Sequence, residues 1–213
     1  MWGGCFEIGS IIFRTAGGIL ESLEQVATEE VKPAEEAIQW KRFIKDILET
    51  LVLAAVLFIG INAVSARVRV DGFSMRPTLE DGEFVLVSRM SYKFSEYERG
   101  DIVVFHFPLD PKEELIKRVI GLPGDHVRVE GGQVFLNGQL LEETYIAEAP
   151  RYSGEWVVTE GFLFVLGDNR NNSNDSKDWG LLPQENVVGK AVLIYWPPPM
   201  WGALDHAGVS ASQ

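Results

Sequence analysis

Ser74, Lys117 and a polar loop from Gly167 to Gly180 are the parts of this chain whose residue types and spacing can carry chemistry. A serine hydroxyl is a poor nucleophile until a base removes its proton. Lysine can be that base when its pKa is lowered far enough to leave the amine neutral at working pH. Lys117 fits by pattern. In a strand its same-face neighbours are Leu115 and Val119, which would press the ammonium into a dry surface. Burial disfavours the charged form and frees the amine to accept a proton. Around Ser74 the chain is turn-like, since Gly72 permits close backbone approach and Pro77 restrains Arg76. Taken singly, an exposed loop serine and a snorkelling edge lysine remain open readings.

Other reactive side chains offer less. His106, His126 and His206 are scattered, show no Ser-His-Asp pattern, and read as surface or satisfied core histidines. In the loop, Asp168, Asn169, Asn171, Asn172, Ser173, Asp175 and Ser176 can all bond backbone groups locally. It fails as a calcium loop, because Arg170 replaces a ligand, Ser173 replaces the glycine and the final Glu is absent. We read it as a rigid wall for a site elsewhere. The lone Cys5 excludes an intrachain disulfide and a multi-cysteine metal site, and reads as an incidental thiol near a frayed terminus. No metal or organic cofactor is expected.

The elements that must position these groups are mostly short β-like runs. Phe84–Ser88, Asp101–Phe107, Leu115–Ile120 and Val127–Val129 come in succession. Gly131 and Gly132 then separate Val129 from Gln133–Leu136, and Asn137 and Gly138 make a hairpin-type turn before Gln139–Leu141. Trp156–Val158, Phe162–Leu166 and Val187–Trp196 complete the set. With no long helical pattern between Arg67 and Pro197, this is a mostly antiparallel β domain large enough for a proper core.

Ahead of that domain, Thr50 to Ala66 is a run of seventeen uncharged residues, which Ile47 and Leu48 extend backwards past Glu49. At about 1.5 Å per residue, roughly twenty helical residues cross a hydrocarbon core of about 30 Å. Only Asn62 and Ser65 interrupt the apolar surface, so a membrane span is expected rather than a core helix with a polar face. It is no cleavable secretory signal, because it starts nearly fifty residues in without a short basic lead. Lys41, Arg42 and Lys45 precede it and Arg67, Arg69 and Arg76 follow, so charge alone leaves orientation open. Residues 1–42 read as an acidic appendage, 43–66 as the anchor, 67–198 as the folded domain and 199–213 as a tail. A net charge of −12 argues against nucleic acid, which demands clustered Lys and Arg.

Three motifs in order carry a resemblance. Ser74, Met75, Arg76, Pro77, Thr78 and Leu79 form the first. Lys117, Arg118, Val119, Ile120 and Gly121, with Pro123, Gly124 and Asp125, form the second. Gly167, Asp168, Asn169 and Arg170, through Asn172, Ser173, Asp175, Ser176 and Gly180, form the third. Over about residues 45–197 the chain resembles type I signal peptidases. The resemblance implies a single-pass membrane protein of the plasma membrane, with residues 1–42 cytoplasmic and an extracytoplasmic Ser-Lys endopeptidase domain. Its partners would be membrane lipid and the signal peptides of exported preproteins, cut at small-x-small sites.

By the same resemblance Ser74 is the nucleophile and Lys117 the general base. Ser173 matches the hydroxyl that helps orient the lysine amine, and Asp175 the loop carboxylate that supports the site. Gly72 stands where some members have a serine that donates to the oxyanion, so the hole would rely more on the Ser74 backbone N–H. Lys177 replaces the usual arginine, so a bidentate pair with Asp175 cannot form. Apolar residues near Phe73, Met75 and Phe105 are expected to line shallow substrate pockets. Two other readings compete: a self-cleaving repressor protease, disfavoured by the acidic N-terminal segment, and a membrane-tethered protein that binds signal sequences without cutting them.

Overall fold

The computed structural model describes residues 39–206 and the backbone of 210–211. Most of the expected acidic appendage, and Cys5, therefore lie outside the described residues. The chain divides into two compact units, Met1–Ile59 and Gly60–Gln213.

Helix α1 runs from Gln39 to Val64, 26 residues or roughly 39 Å. From Gln39 to Ile61 every residue is exposed, including the whole run of Leu, Val, Ile and Phe. A helix apolar all round and uncovered by protein among the described residues matches lipid as its solvent. Its hydroxyls are satisfied internally: Thr50 Oγ1 donates to the Asp46 carbonyl and Ser65 Oγ to that of Ile61, each at 2.8 Å.

The second unit is built from β-strands. The larger sheet contains β1 (Ser65–Arg69), β2 (Phe84–Ser88), β3 (Ile102–Phe107) and β4 (Asp110–Gly121). The smaller one takes β5 (His126–Glu130), β6 (Gln133–Leu136), β7 (Gln139–Glu142) and β8 (Gly154–Val157). β9 (Phe162–Leu166), β10 (Leu182–Pro183), β11 (Val187–Trp196) and β12 (Gly202–Ala203) return to the first sheet, and β13 (Ser210–Ala211) pairs in the second. Their orders are β1-β2-β11-β3-β4-β9-β10, with β12 beside β11, and β13-β7-β6-β5-β8. Every strand pair among the described residues is antiparallel, so the fold is mostly β, as expected. The β6–β7 hairpin turns through Asn137 and Gly138, both at positive φ, the geometry a two-residue turn requires.

Sequence alternation decides which face each residue covers. In β3, Ile102 and Val104 enter one core with Val85, Val87 and Ile116, while Val103 and Phe105 enter another with Val119 and Leu163. A strand buried on both faces has no polar side, hence the unbroken apolar run. β9 behaves alike, sending Phe164 and Leu166 to the core of the smaller sheet.

Two segments differ from the sequence reading. The span expected to continue through Ala66 ends at Val64, and β1 begins at Ser65. Ala66, Val68 and Val70 alternate with Arg67 and Arg69, a strand pattern hidden by its position at the end of an apolar run. The segment read as a tail is tied down over Gly202–His206. β12 pairs with β11, Leu204 is buried, and His206 Nδ1 accepts from the Ile102 N–H at 3.3 Å.

Candidate active site

Ser74 sits in the connection from β1 to β2. Met75 and Leu79, four residues apart, are buried and joined by the Leu79 N–H donating to the Met75 carbonyl at 3.0 Å. These apolar anchors fix one helical turn against the core and leave Ser74 half-buried beside them. Gly72, at φ +94°, donates its N–H to Asp81 Oδ1 at 2.7 Å. Among the described residues the Ser74 N–H has no backbone hydrogen-bond partner.

Lys117 reaches this turn from the middle of β4, where it faces Val103 across the ladder. It is only 2% exposed. Its Nζ lies 2.9 Å from Ser74 Oγ and 2.9 Å from the Ile116 carbonyl oxygen. Burial pushes the amine pKa down to about 8; the nearby Asp175 carboxylate opposes that shift and the Lys177 ammonium adds to it. About a tenth of the amine is then neutral at pH 7 and about half at pH 8. A neutral amine at hydrogen-bond distance from a hydroxyl can take its proton, which is the requirement for serine attack.

The Gly167–Gly180 loop, which follows β9, holds the serine turn from the other side. The Asn169 N–H donates to the Ser74 carbonyl and Asn169 Nδ2 to that of Phe73, each at 3.0 Å. Asp175 caps the short helix α2 (Ser176–Trp179) in a capping box with Asp178, and its Oδ2 accepts from the Gly167 N–H at 3.0 Å. Lys177 Nζ lies 3.3 Å from Asp175 Oδ1 and 2.8 Å from Asp178 Oδ2, a single-point contact with Asp175 rather than a bidentate one. Ser173 stands against Gly167, but its buried Oγ has no hydrogen-bond partner among the described residues. The bond expected from Ser173 to the lysine amine is therefore not formed in this arrangement.

The loop is braced by residues to which sequence reasoning assigned no such role. Arg118 makes a two-point ion pair with Asp168, at 2.9 and 2.8 Å, and both side chains are buried. Arg118 Nη1 also donates to the carbonyls of Gly100 and Asp205. Thr78 Oγ1 donates to Asp168 Oδ2, joining the serine turn to the same pair. Arg170 binds Glu143 through two contacts of 2.6 Å and donates to the Gly167 carbonyl. One signal was available: alternation puts Arg118 with Ile116 and Ile120, and a buried guanidinium requires a carboxylate.

Beside the Ser74–Lys117 contact lies a cleft of about 520 Å³. It is lined by Val68, Leu115 and Ile116 together with charged side chains of β1 and β4, and not by Phe73, Met75 or Phe105. The latter three fall elsewhere because Met75 and Phe105 point into cores and Phe73 points outward under Arg76. His106 also lines the cleft, yet no histidine reaches Ser74 among the described residues.

Fold and site together define a β-sheet scaffold that presents a serine hydroxyl to a buried amine, in a chain that also carries an apolar helix N-terminal to it. Residues 40–196 match the family model described as signal peptidase, peptidase S26. The chain is 44% identical over 172 residues to the probable signal peptidase I-1 of Synechocystis, covering 76% of this chain and 88% of that protein. It is 43% identical over 191 residues to signal peptidase I of Leptolyngbya laminosa, covering 83% and 93%. Similarity extends to thylakoidal processing peptidase 1 of Arabidopsis thaliana, 39% identical over 160 residues, covering 70% of this chain and 46% of that protein. The chain belongs to the S26 family of type I signal peptidases. It is a membrane-anchored serine endopeptidase whose substrates are preproteins bearing signal peptides.

Proposed function

We propose that Ser74 and Lys117 are the catalytic dyad that removes signal peptides at small-x-small sites on the extracytoplasmic side of the plasma membrane. The observation that carries this reading is the 2.9 Å contact between Ser74 Oγ and an amine buried to 2% exposure. Neutral Lys117 takes the hydroxyl proton as Oγ bonds to the scissile carbonyl carbon. The Ser74 N–H donates to the developing oxyanion, and Gly72 contributes no hydroxyl there. Lys117 then returns the proton to the leaving amine, and later activates the water that releases the acyl enzyme. Asp175 and Ser173 act through the loop that fixes the serine turn.

Free strand edges support the choice of substrate. Among the described residues β1 pairs only with β2, and β4 pairs with β9 only from Arg118 onward, so an extended peptide can lie beside either exposed edge. One side chain in two then points toward Val68 and Ile116, where small residues fit. The helix that ends at Val64 serves as anchor in lipid, and the strands from Ser65 onward form the peptidase domain. Holding enzyme and signal peptide in one membrane raises their effective concentration.

The test is cleavage of a preprotein with an Ala-x-Ala site, in detergent, by wild type, Ser74→Ala and Lys117→Ala. Cutting after the last small residue by wild type alone is expected. Retained processing by either pure, folded variant sinks the dyad. Sidedness follows from protease accessibility of the β domain in spheroplasts; protection of that domain would place it in the cytoplasm.

A further inference from the structure

The cleft has a charged outer rim that the reaction itself does not use. On β1, Ala66 and Val68 pack toward the core, so the two-residue period places Arg67 and Arg69 together on the opposite, exposed face. Both arginines line the cleft beside Ser74 and Lys117. Arg69 Nε touches Asp71 Oδ1 at 3.5 Å through a single contact between two exposed side chains, which leaves the guanidinium free to take another partner. Across the cleft, β4 leads away from Lys117 through Leu115 and then Glu113.

Strand directions put these residues in order. β1 and β4 are separated by four successive antiparallel pairings, through β2, β11 and β3, so they run in the same direction. Moving away from the serine, a peptide in the cleft meets Arg69 on one side and Leu115 on the other. Further out, β1 presents Arg67 and β4 presents Glu113.

We infer that Arg69, backed by Arg67, reads the charge of the substrate residue lying between the two small ones. This rests on the cleft being the seat of the extended substrate, as proposed above. In an extended peptide whose small side chains face the core, the intervening one faces the outer rim, where β1 supplies Arg69 and Arg67, with Asp71 beside Arg69, and β4 supplies the mixed charges of Lys112, Glu113 and Glu114. An acidic residue there gains a lateral partner and a basic one is repelled. The preference is local, set against a chain of net charge −12 whose overall field acts the other way. The expected difference between Glu and Lys is about two- to tenfold in kcat/KM, the range of exposed lateral charge pairs.

The experiment compares three preproteins with Ala-Glu-Ala, Ala-Gln-Ala and Ala-Lys-Ala sites at low salt. Wild type should follow the order Glu, Gln, Lys, with the spread narrowing at high salt. Arg69→Gln should flatten the Glu-to-Lys ratio and Arg69→Glu should invert it. Arg128→Glu, a charge reversal on the smaller sheet, should leave that ratio as in wild type. Equal rates on all three sites, or a ratio untouched by Arg69→Glu, overturns the inference while leaving the dyad intact. A wild-type enzyme that cuts none of the three overturns both.

Discussion

Gly167 lies so close to Ser74 that any side chain on it would overlap the Ser74 carbonyl oxygen and the Ser173 hydroxyl. One is backbone and the other is walled in by the loop, so neither can give way cheaply. Gly167→Ala should therefore cost about 1–3 kcal/mol, as overpacking does. By shifting the serine turn it should lower cleavage about a hundredfold. Thermal melts beside preprotein cleavage check both, and full activity would show that the turn yields.

On the proposed dyad, the amine of Lys117 sets the pH profile. With its pKa near 8, about one enzyme molecule in ten carries the neutral base at pH 7 and about nine in ten at pH 9. We predict that kcat/KM rises about tenfold per pH unit below 8 and levels off above it. A profile flat from pH 6 to 9 would contradict Lys117 as the base.

Two neighbours should move that profile in opposite directions. Removing the Lys177 ammonium raises the Lys117 pKa, so Lys177→Gln should displace the rise toward alkaline pH. Removing the Asp175 carboxylate lowers it, so Asp175→Asn should displace the rise toward acid, and Asn can still cap α2. Kinetic pH titrations of both variants decide the matter, and shifts of the same sign would refute it.

Stability should show the cost of burying that amine. Between about pH 8 and 10.5 the unfolded chain holds a proton that the folded one has released, so stability rises with pH across this window. Below 8 the cost is present in full. Lys117→Met should accordingly stabilise the folded domain by up to about 3 kcal/mol at pH 7, with the gain fading by pH 10.5. Denaturant unfolding at the two pH values measures this difference.

Breaking the Arg118–Asp168 pair should do the reverse. Asp168→Asn leaves a guanidinium charged and buried, at a cost of about 3–5 kcal/mol, and loosens Thr78 at the serine turn. A melting temperature unchanged from wild type would remove the pair from the support of the site.

Much of this architecture was legible in residue order. Alternation and turn residues located nine strand runs, because a strand's faces are written two residues apart in the chain. The all-apolar run announced α1, since a helix with no polar side has only lipid or a core to face. β1 escaped because its start is continuous with the apolar helix, so its alternation lacked a turn signal in front. Ser74 and Lys117 could be named from residue type and resemblance.

That the two meet is a matter of tertiary structure alone. Their 2.9 Å contact spans 43 residues, and the Thr78–Asp168 bond spans 90. Such distances depend on strand register and sheet order, which no local pattern encodes. The same holds for the amine's lowered pKa: Leu115 and Val119 hinted at a dry face, but only packing determines how much water is excluded. The cleft lining shows the division most plainly. Met75 is apolar and adjacent to Ser74, yet it faces the core, while Val68 and Ile116, far apart in sequence, line the cleft. The sequence by itself determined which groups were available and which faces were apolar. The fold decided which of them meet, because burial and contact are properties of chain crossings rather than of chain order.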